Sequence, residues 1–349
     1  MAKIAINGLG RIGRAFLKLA LRHPAVEVVA INDLADASNL AYLMRFDSVY
    51  RRYEQPVSVE SLNGHARLRV GDQTILLLQE RDPARLPWRR LDIDIVVESS
   101  GAYESYDKAR AHLRAGAKRV VLTAPAKDAD GDDAQTILMG VNAQRIGSCS
   151  LSSNGSCTTN SVAPALQVLQ ERLGVRKAML NTVHGYTATQ NLVDGPTRGR
   201  DMRRGRAGAV SIVPATTGAA LAVTRAIPSL RGRFDGIAMR VPVPVGSLSV
   251  ISFVSARPTT AEEINAMLSD AAMTARWQSV LAVTAEAVVS ADIIGDPHAA
   301  IVDLSLTKVV DGDLCSIYCW YDNEFGFTNT LLEHVMEAAR TMEPRERVA

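Results

Sequence analysis

At 349 residues the chain has room for about two domains. Its 47% hydrophobic and 22% charged residues are those of an ordinary globular protein with sizeable cores. A net charge of +2 creates no field that demands nucleic acid or an anionic membrane. The opening MAKIAINGLG runs straight into a strand pattern and lacks the parts of a signal peptide. No apolar run approaches the ~20 residues of a spanning helix, so a soluble, cytoplasmic protein is expected.

Four cysteines are present, Cys149, Cys157, Cys315 and Cys319, with no CxxC pair and no zinc pattern. Cys315 and Cys319 share one face of a strand-like stretch but stand roughly 13 Å apart along it, too far for a disulfide. They are expected to pack in a core, and the set as a whole fits a reducing compartment. No metal site is expected.

KIAIN, GLGRIGR, RAFLKLALRH and VEVVAIN read in order as strand, glycine turn, helix and strand. Strand patterns recur at ARLRV, TILLLQ, DIVVESS, KRVVLTAP and TILMGVN. A helix fits YDKARAHLRAG, with Gly116 as its C-terminal stop. This alternation predicts a mostly parallel sheet with helices on both faces.

After about residue 155 the texture changes. A helix fits SVAPALQVLQERLG, followed by strand-like KAMLNTVHGY, GIAMRVPVPV, LSVISFVSAR, AIVDLSLTKVV and LCSIYCWYD. Pro242 and Pro244 belong at strand ends or a bulge. TNTLLEHVMEAARTM is a helix by period. The predicted fold is α/β: an N-terminal Rossmann domain, residues 1–155, completed by a C-terminal helix at 324–349, and an α+β domain, residues 156–323, with a mixed, largely antiparallel sheet. Residues 193–211 carry five arginines and four glycines in DGPTRGRDMRRGRAGA. A loop of this length is a functional segment or a solvated basic one.

Gly8-Leu9-Gly10-Arg11-Ile12-Gly13 is GxGxxG between a strand and a helix. Gly8 makes the tight turn, Gly10 lets backbone approach a pyrophosphate, and Gly13 allows close helix packing. The helix start offers free N–H groups and a positive dipole end. Asp33 ends the next strand at the spacing of the full dinucleotide fingerprint. A carboxylate there accepts from a ribose 2′-OH and repels a 2′-phosphate, so NAD is favoured over NADP. Arg198 and Arg200 would offset that repulsion if they lay close.

The second signal is Ser153-Asn154-Gly155-Ser156-Cys157-Thr158-Thr159-Asn160, with a short strand before it and a helix after. Cys157 is thus expected at a helix N-terminus, which would stabilise its thiolate and lower its pKa. His184, at a strand end in TVHGYTATQ, is the natural partner to take the thiol proton. His23, His65, His112, His298 and His334 lie in segments without chemical context. A Cys–His pair with a nicotinamide site points to aldehyde oxidation: a hemithioacetal, then a thioester open to a second nucleophile.

INGLGRIGR, SNGSCTTN, TVHGYTATQNLVDGP, MRRGRAGA, PATTGAA, MRVPVP and WYDNEFGF together, over essentially the whole length, resemble the phosphorylating glyceraldehyde-3-phosphate dehydrogenase family. The resemblance implies Cys157 as nucleophile and His184 as its base. It implies one phosphate site at Ser156, Thr158, Thr217 and Gly218, where inorganic phosphate attacks. A second, for the substrate phosphate, falls at Thr187, Arg204 and Arg240. Arg11, Ile12, Asp33, Arg81, Ser100, Gly101 and Thr123 resemble NAD contacts, and Asn323 the group that orients the nicotinamide carboxamide. The basic loop resembles the family's S-loop, about 186–211, which packs near a neighbouring subunit's cofactor and implies a homotetramer. Glycolysis and gluconeogenesis are equally open as its setting.

Some positions depart from the pattern. Gly155 stands where alanine is common, Ser161 where a second cysteine is common, and Phe325 where tryptophan is frequent. Tyr50-Arg51 replaces a frequent His-Gly. Erythrose-4-phosphate dehydrogenase is the nearest alternative, but its branch typically loses the residues kept here as Tyr186-Thr187 and Thr217-Gly218. Another acylating reductase would read differently around the cysteine. A nucleic-acid binder as main role is disfavoured by the near-neutral charge and the intact Cys157 and His184.

Overall fold

The structure, a computed structural model, describes the chain except residue 63, residues 198–200 and residues 343–349. Arg198 and Arg200, and the last residues of the expected C-terminal helix, therefore lie outside the described residues. The chain forms two compact units: Met1–Gly155 with the chain from Leu331 onward, and Ser156–Thr330.

The first unit begins with β1 (Ala2–Asn7), α1 (Arg11–Ala20) and β2 (Val26–Asn32), with β1 and β2 parallel. Helix α2 (Ala37–Arg45) follows, capped by Asp36, whose carboxylate accepts from the Ser38 and Asn39 N–H groups. Strands β3 (Val57–Leu62), β4 (His65–Val70) and β5 (Gln73–Leu78) form an antiparallel meander. Then come β6 (Ile95–Glu98), α3 (Tyr106–Arg114), β7 (Arg119–Leu122), β8 (Ala134–Thr136) and β9 (Leu151–Ser153). The sheet order is β8-β9-β7-β6-β1-β2-β5-β4-β3. From β8 to β5 every pairing is parallel. The central strands are apolar without alternation because both faces are covered: Ile4, Ile6, Ile95, Val97, Val120 and Val121 are fully buried. Gly116, with φ +109°, ends α3, as its place in the sequence suggested.

TILMGVN is not the strand its pattern suggests. Only Ala134–Thr136 pairs, because Asn142 accepts from the Leu138 N–H at 2.7 Å and donates to the Thr136 carbonyl at 2.8 Å, folding the segment onto itself. Helix α2 and strand β3 carry weak periodicity and are not apparent from the pattern.

The second unit contains α4 (Cys157–Arg172), β10 (Val175–Gly185), β11 (Val213–Thr216), α5 (Ala219–Ala226), β12 (Phe234–Val241) and β13 (Ser247–Ser255). It continues through α6 (Ala261–Ala272), β14 (Leu281–Thr284), β15 (Ala300–Asp303), β16 (Lys308–Val310) and β17 (Leu314–Tyr321) to the start of α7 (Phe325–Arg340). Its sheet runs β11-β12-β10-β13-β17-β15-β14, with β16 also on β17. It is mixed: β10/β12 and β14/β15 are parallel, the other pairs antiparallel. AIVDLSLTKVV breaks into two strands because Asp303 turns its carboxylate back onto Ser305 and accepts from the Trp320 indole. Strand β12 stops before Pro242. Cys315 and Cys319 are buried free thiols on one face of β17.

A buried polar network ties the carboxyl ends of β1, β2 and β6 together beneath the glycine turn. The Trp88 indole N–H donates to His112 Nδ1 at 3.0 Å, which fixes the ring's hydrogen on Nε2. That N–H faces Glu98 Oε2 at 2.9 Å. The Asn7 amide also donates to Glu98 Oε2, and Asn32 donates to Asn7 Oδ1 at 2.7 Å. Glu98 Oε1 holds the Ser100 hydroxyl and N–H. His112 is thus not without context: both ring nitrogens are used in a fully buried position. We expect His112→Leu to leave one buried donor and one buried acceptor short of a partner and to cost about 2–4 kcal/mol. Urea denaturation would read this; an unchanged midpoint would show that the network adds no stability.

Candidate active site

The chain reaches Cys157 through a turn whose backbone is held at each step. Gly155 adopts φ +65° and donates its N–H to Ser153 Oγ at 3.0 Å. Ser156 then caps α4: its Oγ accepts from the Thr159 N–H, and the Thr159 hydroxyl accepts from the Ser156 N–H. This reciprocal box starts the helix at Cys157 and puts the thiol in its first turn.

His184 stands at the end of β10, almost fully buried, with Nε2 3.3 Å from Cys157 Sγ. β10 and β12 run parallel in a register that makes His184 and Arg240 direct neighbours. Arg240 Nη1 consequently reaches both His184 Nδ1 and, at 3.2 Å, the Gly185 carbonyl. The same carbonyl lies 2.7 Å from His184 Nδ1. Tyr321 of β17 sets its ring edge-on to the imidazole at 5.9 Å. Its hydroxyl joins Thr158 at 3.0 Å to Thr182 at 2.8 Å, fastening the first turn of α4 to β10.

Burial pushes the His184 imidazole down to about 3, and the Arg240 charge pushes the same way. The expected lowering of the Cys157 pKa is not what the surroundings impose. Burial raises the thiol, against the opposing pull of Arg240 and the Thr158 N–H. The resting pair is therefore neutral thiol and neutral imidazole. The helix start favours thiolate but is outweighed by desolvation.

The residues expected to hold phosphate form two groups. Arg240 belongs to the first, beside Cys157 and His184; its Nε is buried and has no hydrogen-bond partner among the described residues. Such a donor fits an anion, which would give it the acceptor it lacks. In the second group Arg204 donates to the Thr216 carbonyl at 3.1 Å and to Thr189 Oγ1 at 3.4 Å, and Thr189 meets Thr187 Oγ1 at 2.9 Å. Thr217 Oγ1 accepts from the Ala219 N–H, and Gly218 caps α5 without a side chain of its own. Thr187, Arg204, Thr217 and Gly218 thus gather around one turn. The charge of Arg204 is felt at Arg240, so the groups are within electrostatic reach. Ser156 and Thr158 hydroxyls are engaged, with Thr159 and Tyr321 respectively.

In the first unit the three fingerprint glycines differ in what surrounds them. A Cβ at Gly8 (φ +98°) would strike the Ser100 backbone at 2.5 Å, and one at Gly13 would meet the Gly8 carbonyl at 2.1 Å. At Gly10 nothing lies within 4 Å. Only the position that must admit a pyrophosphate is open, and Gly10 caps α1 with no side-chain acceptor. The residues present therefore fit a dinucleotide. Asp33 accepts from the Leu9 N–H at 2.7 Å and the Ala35 N–H at 2.9 Å, one on each oxygen, leaving lone pairs for a ribose diol. Ser100 is held by Glu98, Gly101 is exposed at φ +71°, and Thr123 bonds the Glu98 carbonyl through both its N–H and hydroxyl. Arg11 pairs with Asp47 at 3.2 Å and lies over the Tyr50 ring; Ile12 follows it in α1 and Arg81 is exposed. Arg51 occupies φ +66° in the short ladder formed by residues 46–47 and 51–52. Within the second unit, Asn323 accepts from Ser247 Oγ at 2.9 Å and the Gly246 N–H at 3.2 Å, so its amide orientation is set.

Sequence reasoning missed Tyr321, Thr182, Ser247 and Glu98. The lone acid closing the buried run DIVVE was the one signal that could have marked Glu98.

Among the described residues no helix is long and apolar enough to cross a membrane. Residues 2–106 match the family model for the glyceraldehyde 3-phosphate dehydrogenase NAD binding domain, and residues 156–323 that for the C-terminal domain. The chain is 44% identical over 336 residues to the glyceraldehyde-3-phosphate dehydrogenase of Clostridium pasteurianum, covering 95% of this chain and 97% of that protein. It is 42% identical over 347 residues to that of Mycobacterium avium, covering 97% and 99%. The Zymomonas mobilis protein of the same name is 42% identical over 343 residues, again covering 97% and 99%. With both domain models matched in order and these relatives aligned nearly end to end, the chain belongs to the glyceraldehyde 3-phosphate dehydrogenase family.

Proposed function

We propose that this chain oxidises glyceraldehyde 3-phosphate with NAD and inorganic phosphate to 1,3-bisphosphoglycerate, through a thioester on Cys157. The observation that carries the reading is the 3.3 Å Cys157–His184 contact beside Arg240, whose buried Nε awaits an acceptor. Cys157 Sγ adds to the aldehyde carbon while its proton passes to His184 Nε2 and from there to the carbonyl oxygen, which becomes the hemithioacetal hydroxyl and leaves the imidazole neutral again. The tautomer able to accept the thiol proton carries hydrogen on Nδ1, donated to the Gly185 carbonyl. Arg240 can give up the ring for that same carbonyl, so accepting a proton leaves no donor stranded. NAD, when bound, supplies the acceptor for the hydride of the hemithioacetal carbon. The hemithioacetal hydroxyl proton leaves through the imidazole, giving the thioester. A phosphate oxygen then attacks the acyl carbon and the C–S bond breaks, restoring the thiol once Sγ regains a proton.

Arg204, Thr187, Thr217 and Gly218 form one candidate anion site, and Arg240 with Ser156 and Thr158 borders the sulfur. Two anions, the substrate's phosphate and the attacking one, match two such groups. Gly8, Gly10, Gly13 and Asp33 would hold the pyrophosphate and adenosine ribose. Asn323 would orient the nicotinamide carboxamide.

The segment 186–211 supports a homotetramer. Leu192, Val193, Met202 and Val210 are each more than 70% exposed, an unusual apolar display for a polar loop that a second subunit would cover. Free cysteines throughout the described chain fit a cytoplasmic setting, in glycolysis or gluconeogenesis.

Three measurements test this reading. NADH formation at 340 nm should require glyceraldehyde 3-phosphate, NAD and inorganic phosphate, with erythrose 4-phosphate a poor substitute, and Cys157→Ser should abolish it; turnover indifferent to phosphate overturns the acceptor. His184→Asn should lower kcat by about 10²–10⁴-fold and slow Cys157 alkylation by iodoacetamide at fixed pH, since the neutral thiol loses the base that takes its proton. An unchanged alkylation rate would mean the two groups do not share a proton. Light scattering of the purified protein should give the mass of four 37.6-kDa chains, and a monomer in dilute solution would count against the loop's assigned role.

A further inference from the structure

His334 is fully buried in α7 and plays no part in the chemistry above. Its two ring nitrogens have different partners. Nε2 lies 2.7 Å from Ser152 Oγ, and Nδ1 lies 3.1 Å from Asn154 Oδ1. An amide oxygen only accepts, so Nδ1 carries the hydrogen, and Nε2 accepts from the serine hydroxyl. The neutral ring is thereby satisfied on both sides. Burial lowers its pKa to about 3, so it stays neutral.

The two residues it grips flank Ser153 in the segment that leads into the turn delivering the nucleophile. Asn154 also donates its N–H to the Leu122 carbonyl, Ser153 Oγ donates to the Ala124 carbonyl, and Gly155 donates back to Ser153. Gly155 at φ +65° is the most permissive residue of that turn, free to take other conformations unless its neighbours are held. The Asn154 side chain ties the residue before Gly155 to an element 180 residues away in sequence.

We propose that His334 is a positioning residue: by holding Ser152 and Asn154 it sets the entry of the chain into Gly155 and Ser156, and thereby the placement of the Cys157 thiol. The proposal rests on Cys157 being the nucleophile. It goes beyond that reading by giving the C-terminal helix a part in the alignment of the sulfur.

The test compares His334→Leu, the double variant Ser152→Ala/His334→Leu, and His334→Asn. In His334→Leu, Ser152 loses its acceptor and Asn154 loses a donor, so both thermal midpoint and kcat should fall. kcat should drop about 10- to 100-fold, the scale of a small misplacement at a reacting atom. The double variant removes the buried serine hydroxyl with the ring and should recover much of the midpoint. Its kcat should stay low, because Asn154 still lacks the ring donor. His334→Asn, which can keep an N–H toward Asn154, should restore kcat in part. The rate of Cys157 alkylation at fixed pH should follow kcat across the set, while the Kd for NAD, read by quenching of protein fluorescence, stays within about twofold of the parent. If kcat and alkylation recover together with the midpoint in the double variant, His334 is merely structural and the proposal falls. If all variants turn over like the parent, it falls equally. Should His334→Leu fail to fold, the double variant and His334→Asn decide the matter. Failure of the underlying reading looks different: turnover would survive Cys157→Ser in the parent background.

Discussion

A buried imidazole beside a guanidinium holds no charge at rest, and the arrangement around His184 follows from that constraint. Its partner thiol is also kept neutral by burial, so the proton that must move sits on sulfur until an electrophile arrives. Arg240 then acts in two directions. It disfavours the imidazolium but favours any negative charge that develops on Cys157 or on an anion near it. The Gly185 carbonyl mediates between these tendencies, being within reach of both the ring N–H and the guanidinium. The site is poised because no member of the trio is fully committed, whereas the parts that fix it are: the capping box, and the Tyr321 hydroxyl between Thr158 and Thr182.

Both units solve the same problem at the carboxyl ends of parallel strands. In the first, Asn7, Asn32 and Glu98 end three neighbouring strands and bond one another, so the glycine turn is laid on a polar platform rather than on loose loops. In the second, the parallel β10/β12 pair brings a histidine and an arginine side by side at its carboxyl end. Strand ends in such sheets have free backbone and side chains facing one edge, which is where ligands are generally bound.

How much of this was legible in the sequence depended on range. Gly8, Gly10, Gly13 and the Ser156-Cys157 helix start are local signals, because turn and cap geometry are decided within a few residues. The parallel βαβ core was legible because its burial leaves unbroken apolar runs. The meeting of His184 with Arg240 was not, since it depends on the register of strands 56 residues apart. Nor was the Trp88–His112–Glu98 chain, whose bonded members lie 24 and 14 residues apart and meet only in the fold. TILMGVN and AIVDLSLTKVV misled for a related reason: Asn142 and Asp303 compete with strand pairing through side-chain bonds that hydrophobic pattern does not register. The thiol's elevated pKa was likewise hidden, because a helix start is visible in sequence and the depth of burial is not.

The first unit is interrupted in sequence: its opening 155 residues are joined by the chain from Leu331 onward. Arg119 makes this dependence concrete, donating to the carbonyls of Ile146, Ala338 and Thr341 and to the Thr341 hydroxyl. Ala338 and Thr341 emerge from a ribosome long after Arg119 does. At about 5–20 residues per second the gap is on the order of 10–40 s, during which the whole second unit is synthesised and free to fold. The cofactor-binding half is thus begun first and finished last. For that interval the side of β9 that Ser152 presents to α7 is open, and a chain stalled before residue 331 would carry the cysteine without the helix that completes the unit before it.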